Sequence, residues 1–272
     1  MDADLAGIAA RLIAAQDNAT SLPPITVGTP AFTVADGYAV MAEVDRHRRA
    51  QGWKTVGRKI GFTNRTIWPR YGVYQPNWAH IWANTVHFAV DGKASLALGR
   101  FMEPRIEPEV VFKLRAPVPR TDDPTAIWAS IEWIAPGFEI VQSHFPNWKF
   151  TAADTIAACA LHGALVVGTP LAVNDVNRAR LAGASSTFAL TLSRGDAVVD
   201  RGVGANVLDG PAYALAHLAR LLADQPQFPP LAAGEIVTTG TITDAWPVAA
   251  GEVWSSDYGD LGLDGVTLSF TP

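Results

Sequence analysis

The chain has 272 residues, 49% hydrophobic and 17% charged, with 21 basic and 26 acidic side chains and a net charge of −5. That composition supplies a packed core and excludes disorder, and so slight a charge imbalance gives a polyanion nothing to hold, so nucleic acid is not an expected partner. A single cysteine, Cys159, excludes an internal disulfide framework and any multi-thiolate metal site.

The opening Met1-Asp2-Ala3-Asp4 is acidic where an export signal carries positive charge. No apolar run approaches the roughly twenty residues of a transmembrane helix. The expectation is a cytoplasmic protein without a membrane partner. Leu5, Ile8, Leu12 and Ile13 recur at helical spacing and predict an amphipathic helix over 5–15. A proline-rich connector (Leu22-Pro23-Pro24, Thr29-Pro30) follows. Thr33, with Asp36 three residues on, caps a second helix whose stripe is Val34, Tyr38, Met41 and Val44 and which stops near Gly52.

From Thr55 the pattern becomes strand-like, and Val56, Ile60 and Phe62 alternate with Gly57, Lys59 and Gly61. Strands are expected over 107–114, 138–141 and 165–167. Asp123-Pro124 should open a helix that Pro136-Gly137 ends, and Thr151 with Asp154 should cap one running to His162 and closed by Gly163. Residues 187–201 read as a hairpin turning at Arg194-Gly195-Asp196, and Pro211 opens a helix through Leu222. Strand-like runs separated by glycines fill the last forty residues. Regular βαβ alternation is missing and hairpins imply antiparallel pairing, so the expected class is α+β: a helical N-terminal region, 1–54, on a mostly-β core, 55–272.

The segment Arg105-Ile106-Glu107-Pro108-Glu109-Val110-Val111-Phe112 carries the strongest chemical signal. In a strand Glu107 and Glu109 share a face, about 6.5–7 Å apart, and repel unless something positive lies between them. A solvated strand face is the plain alternative. Against it, Val110-Val111-Phe112 is apolar on both faces, and Pro108 interrupts a ladder as at an edge or a bulge beside a site. Glu139 stands alone among apolar neighbours in Phe138-Glu139-Ile140-Val141 and needs an arginine or a metal. Three carboxylates without a nearby cysteine suit Mg²⁺ or Mn²⁺ better than zinc.

Lys59, set between Gly57 and Gly61, suits a general acid/base or a binder of a substrate carboxylate; the alternative is a lysine on an exposed edge strand. Those glycines match neither phosphate-loop spacing. Among six histidines no HxxxH pair occurs, and His144 follows the Glu139 strand closely enough to reach the same site. Trp68, Trp78 and Trp82 fall in a stretch that reads as loop, where they would line a pocket, form an oligomer interface, or simply fill core; with Tyr71 and Tyr74 they suggest a homo-oligomer interface.

These blocks, in this order, resemble the 2-keto-4-pentenoate hydratase and 4-oxalocrotonate decarboxylase group of the fumarylacetoacetate hydrolase superfamily. The resemblance is carried by Val56-Gly57-Arg58-Lys59-Ile60-Gly61-Phe62-Thr63, Tyr71-Gly72-Val73-Tyr74-Gln75-Pro76 and Pro104-Arg105-Ile106-Glu107-Pro108-Glu109. It continues through Phe138-Glu139-Ile140-Val141, Trp148, Asp154-Thr155 and Ala233-Gly234-Glu235-Ile236-Val237-Thr238-Thr239-Gly240. It implies a distorted mixed β-barrel or roll, Mg²⁺ or Mn²⁺ on Glu107, Glu109 and Glu139, Lys59 in proton transfer, and Thr239-Gly240-Thr241 bordering the substrate. The implied enzyme is a homo-oligomeric lyase of aromatic compound catabolism that hydrates or decarboxylates a small 2-oxo or 2-hydroxydienoic acid.

Where members of the group have Asp-Gln-Pro-Asp-Phe-Gly, this chain has Tyr74-Gln75-Pro76-Asn77-Trp78-Ala79, so a substrate-facing acid becomes an amide. The usual Asp-Asn-Ala-Ser-like helix end reads Ala158-Cys159-Ala160-Leu161-His162, and Leu208-Asp209-Gly210-Pro211 lacks the usual histidine. These departures keep two other expectations open. One is a C–C bond hydrolase of an acylpyruvate or β-diketone using His144 or His162 as base; the other is a specialised or non-catalytic relative that binds a small acid.

Overall fold

A computed structural model describes residues 4–272; Met1 to Ala3, on which much of the acidic-terminus reading falls, lie outside the described residues. The helices are α1 (Leu5–Asn18), α2 (Ile25–Gly28), α3 (Val34–Ala50), α4 (Trp68–Tyr71), α5 (Pro124–Ala129), α6 (Ala152–Ala157), α7 (Arg178–Ala184) and α8 (Pro211–Ala223). The strands are β1 (Thr55–Gly61), β2 (Asn77–Trp82), β3 (Val86–Phe88), β4 (Lys93–Ala97), β5 (Arg105–Leu114), β6 (Ile131–Val141) and β7 (His162–Val167). They continue as β8 (Leu171–Ala172), β9 (Ala189–Arg194), β10 (Ala197–Val203), β11 (Ile236–Thr238), β12 (Trp246–Pro247), β13 (Val253–Asp257) and β14 (Thr267–Thr271).

The larger sheet runs β2-β1-β11-β5-β6-β7-β3, with β12 beside β5 and β8 beside β6; the smaller runs β10-β9-β13-β14-β4. Most ladders are antiparallel, but β1–β11, β3–β7 and β14–β4 are parallel, so the sheets are mixed. Thr33 and Asp36 form the reciprocal capping box their spacing predicts. Ile8, Leu12 and Ile13 of α1 and Tyr38, Met41 and Val44 of α3 are buried and join the same apolar core as Phe112, Phe138 and Val166. On the other face of the larger sheet, Ile81, Val111, Ala135, Leu165, Val167 and Ile236 form a smaller apolar cluster. Val111 shares its face with Glu109, two residues earlier, so this cluster continues directly into the glutamate site.

Four expectations need correction. The helix from Pro124 ends at Ala129, not at Pro136. Pro136 instead lies inside β6, opposite Val110, and its carbonyl accepts from Gly168 N at 2.8 Å. The helix from Ala152 stops at Ala157, because Cys159, Ala160 and Leu161 take left-handed φ of 55°, 48° and 64°, which a right-handed helix cannot absorb. His162 therefore begins a strand. Trp78 and Trp82 lie in β2, buried at every position, rather than in a loop; Trp78 stacks on Tyr38 at 5.8 Å. Pro108 is not at a sheet edge. It falls in the gap between the pairing of β5 with β11 (Val111 to Lys113) and with β12 (Arg105 and Ile106), where a missing N–H costs no ladder bond on that side.

Candidate metal centre and its cavity

The β5–β6 register sets Glu107 directly opposite Glu139, with Glu109 opposite Gly137. The alternation read from sequence therefore holds, and pairing adds the third carboxylate: one oxygen from each of Glu107, Glu109 and Glu139 lies within 4.8 Å of the others. Glu109 and Glu139 are fully buried and Glu107 is half-buried.

Lys59 enters from β1, aligned through its parallel pairing with β11, and its Nζ stands 2.9 Å from Glu139 Oε2. At 2% exposure it is no edge-strand lysine. His162, at the start of β7, holds the other Glu139 oxygen, with Nδ1 2.7 Å from Oε1. Its Nε2 is 2.8 Å from Thr85 Oγ1, whose hydroxyl donates to Trp82 O. Glu109 Oε2 accepts from Gly240 N at 2.6 Å, while Oε1 is buried with no hydrogen-bond partner. Only glycine serves at 240: φ is +97°, and an added Cβ would stand 1.8 Å from Thr63 Oγ1.

The charges are unbalanced in a way that shows in the acidities. Burial, reinforced by the Glu139 charge and opposed by Lys59, pushes the Glu107 carboxyl up to about 7. Burial and the charges of Glu139 and Glu107 push Glu109 well above the carboxylate range. Burial would raise Glu139 as well, but Lys59 and the His162 hydrogen bond outweigh it and hold Glu139 down at about 2. Burial pulls the Lys59 ammonium down, yet the surrounding Glu139, Glu107 and Glu109 charges prevail and raise it. Three carboxylates share one ammonium, one buried oxygen is orphaned, and every converging donor is a hard oxygen. That donor set fits a divalent cation of the Mg²⁺ or Mn²⁺ type.

A narrow cavity, open to solvent, adjoins the cluster and is lined by Lys59, Gly61, Phe62, Thr63, Asn64, Ile67, Tyr71, Glu107, Val141, Trp148, Ala160, Leu161, Gly240, Thr241 and Ala245. Of the residues singled out from sequence, Lys59, Glu107, Gly240 and Thr241 line this cavity. Thr239 does not: its hydroxyl donates to Val110 O, so it braces β5. Asn77 is 1% exposed and sits behind Gly61, donating Nδ2 to Thr155 Oγ1 at 3.0 Å. Its Oδ1 has no partner, and it and Lys59 Nζ lie 3.1 and 3.6 Å from where a Cβ on Gly61 would stand. His144 does not line the cavity either; its Nδ1 is 2.8 Å from Thr20 O. Asp209 is at the surface, paired with Arg65. Sequence reading passed over the aromatic wall, although Tyr71 and Trp148 stood inside the matching blocks, and over Thr85, which carried no signal.

A family model described as fumarylacetoacetate (FAA) hydrolase C-terminal matches residues 73–263. A 2-hydroxyhexa-2,4-dienoate hydratase of Comamonas testosteroni is 32% identical over 96% of this chain and 95% of its own. A 4-oxalocrotonate decarboxylase of Pseudomonas sp. (strain CF600) is 30% identical over 92% and 90%. Among solved structures, 4-oxalocrotonate decarboxylase from Pseudomonas putida G7, complexed with magnesium and adipate, superposes with a TM-score of 0.87 at 28% identity, covering 98% of this chain and 97% of that one.

Proposed function

The chain belongs to the fumarylacetoacetate hydrolase family, and from that premise we propose that it is a metal-dependent lyase that hydrates or decarboxylates a small 2-oxo or 2-hydroxydienoic acid. The observation that carries the reading is the buried cluster of Glu107, Glu109 and Glu139, with an orphaned Glu109 oxygen, set against a cavity into which Lys59 reaches. The relatives are named as hydratases and decarboxylases, and one is solved with magnesium.

Glu107, Glu109 and Glu139 would hold a divalent cation, which would supply Lewis acidity toward the C2 oxygen of a 2-oxo acid. The protein's own groups do the rest. In the metal-free site the carboxylate charges outweigh burial and hold the Lys59 ammonium above its usual range, and Nζ borders the cavity where it can give a proton to a substrate. Its contact with Glu139 aims the ammonium, and Gly61, lacking a side chain, leaves room beside it. Phe62, Trp148 and Leu161 give that side of the cavity an apolar wall.

The hydrolase alternative requires a general base near the metal, with His144 or His162 as the candidate. Neither candidate lines the cavity: His144 is turned to Thr20 O, and His162 is committed to Glu139 and Thr85. This favours the lyase. Calorimetry with Mg²⁺, followed by turnover of a 2-hydroxydienoate with and without a chelator, tests the proposal. Absence of Mg²⁺ binding, or turnover indifferent to the chelator, would refute it.

A further inference from the structure

Three hydroxyl side chains among the described residues line the cavity, those of Thr63, Tyr71 and Thr241. Thr63 Oγ1 donates to Thr239 O at 2.9 Å and Thr241 Oγ1 to Thr243 O at 3.0 Å, so both protons are spent inside the protein. Tyr71 differs. Its oxygen accepts from Arg105 Nη1 at 2.6 Å, and among the described residues no acceptor takes its own proton. Burial pushes the phenol up and the Glu107 charge adds to it, against the pull of Arg105 and Arg70, so the proton stays on oxygen at neutral pH.

The cation behind the phenol is uncompensated. The Arg105 guanidinium lies over the Trp148 ring, 4.1 Å from its centroid, and donates to the Tyr71 oxygen; no carboxylate of the described residues pairs with it. The phenol ring is fixed as firmly. It stacks on Phe150 with centroids 5.8 Å apart and planes 13° from parallel, and Phe62 meets it edge-on at 6.0 Å. A hydroxyl held in place, polarised by a guanidinium and carrying a free proton is a preorganised donor for an anionic oxygen.

The β5–β6 register sets where along a substrate that donor falls. Glu109 lies opposite Gly137, Glu107 opposite Glu139, and Arg105 opposite Val141. Glu107 and Val141 line the cavity while Glu109 and Glu139 do not, so the cavity leads from the carboxylate cluster toward the Arg105 end of the strand. Arg105 shares the face of Glu107 and stands roughly 6.5–7 Å further along it. An acid whose C1 carboxylate and C2 oxygen are drawn to the metal end extends its tail that way.

We propose that Tyr71 is the residue that selects the substrate's tail, its O–H donating to a carboxylate oxygen at the end remote from the metal, and that Arg105 is the positioning residue that holds and polarises it. The inference rests on the lyase reading just given, and it assigns Tyr71 a role separate from the proton transfer of Lys59. Loss of the phenolic hydrogen should cost affinity for an acidic tail and nothing at the C1–C2 end.

The test uses the Mg²⁺-loaded, full-length protein and saturated 2-oxo acids of five, six and seven carbons, each length as a monoacid and as its dioate. Calorimetry on the wild type should show at least one dioate binding about 10-fold or more tighter than its monoacid, the scale of a hydrogen bond to a charged group. Tyr71→Phe, which removes one oxygen and keeps the ring packing, should abolish that preference while leaving monoacid and Mg²⁺ affinity unchanged. Arg105→Gln, which can still donate to the phenol but carries no charge, should lose part of it. No preference at any length in the wild type, a preference that Tyr71→Phe leaves intact, or equal loss of monoacid and dioate affinity would overturn the inference and leave the lyase reading standing. Failure of every acid to bind in the presence of Mg²⁺ would overturn that reading, and this inference with it.

Discussion

Replacing Glu107 with glutamine probes the carboxylate cluster through stability alone, without a substrate. Below about pH 4.5 a glutamate carboxyl is protonated in both the folded and unfolded chain, so metal-free wild type and Glu107→Gln should melt together. As pH rises toward 7 the unfolded chain has released its proton, while the folded chain, in which burial pushes Glu107 up to about 7, still holds it. The native state then binds more protons, and its stability falls with pH until the penalty is complete above about 7. That interval of pKa corresponds to about 3 kcal/mol. Glu107 is only half-buried and borders the cavity, so solvent screening reduces the expected penalty to about 1–2 kcal/mol. Glutamine carries no charge and escapes it. At pH 8 in chelator the variant should melt about 4 °C above wild type, given the size of the chain. Saturating Mg²⁺ should reverse the order, because wild type keeps three ligands and the variant two. Differential scanning fluorimetry at pH 4.5 and pH 8, with and without Mg²⁺, reads all four conditions. An advantage equal at both pH values, or Mg²⁺ stabilising both proteins alike, would refute the reasoning.

Other expectations follow from the same geometry. Lys59→Met should lower turnover about 10²–10⁴-fold, the scale of a lost proton donor, and should lower the metal-free melting temperature, because the carboxylate cluster loses its cation; near-normal kinetics would remove Lys59 from the chemistry. His162→Ala frees Glu139 Oε1 and should weaken Mg²⁺ binding about 10–100-fold by calorimetry, with His162→Gln restoring part of it. Asn77→Asp sets a carboxylate beside Gly61 and Lys59 and should raise hydration of 2-hydroxypenta-2,4-dienoate; unchanged kinetics would mean the position is only structural. We expect a homo-oligomer. Trp78 and Trp82 no longer support it, being buried in β2, but Tyr74, Phe88 and Val90 are 64%, 56% and 74% exposed. Light scattering should therefore give a multiple of 29.0 kDa.

The sequence by itself determined what local chemistry specifies. Thr33 and Asp36 announce a helix start because the capping box is closed within four residues, and the Arg194-Gly195-Asp196 hairpin needs no distant partner either. The shared face of Glu107 and Glu109 follows from the two-residue period of a strand, the isolation of Glu139 among apolar neighbours and of Lys59 between glycines marked those two residues, and the ordered family blocks joined them to one fold. What crosses strands was decided only in three dimensions. Pro136 and Pro108 read as breakers, yet both sit inside long strands, because neighbouring strands, and the gap between β11 and β12, determine whether a missing N–H matters. The helix ending at Ala157 rather than His162 depends on three left-handed residues with no glycine among them, a conformation that packing imposes against local preference. That early stop turns His162 onto Glu139 and leaves His144 facing Thr20, a distinction that two histidines eighteen positions apart could not reveal. The state of Lys59 is tertiary for the same reason. A lysine flanked by glycines is compatible with an exposed edge, and only the convergence of β1, β5 and β6 buries it against three carboxylates whose combined field keeps it charged.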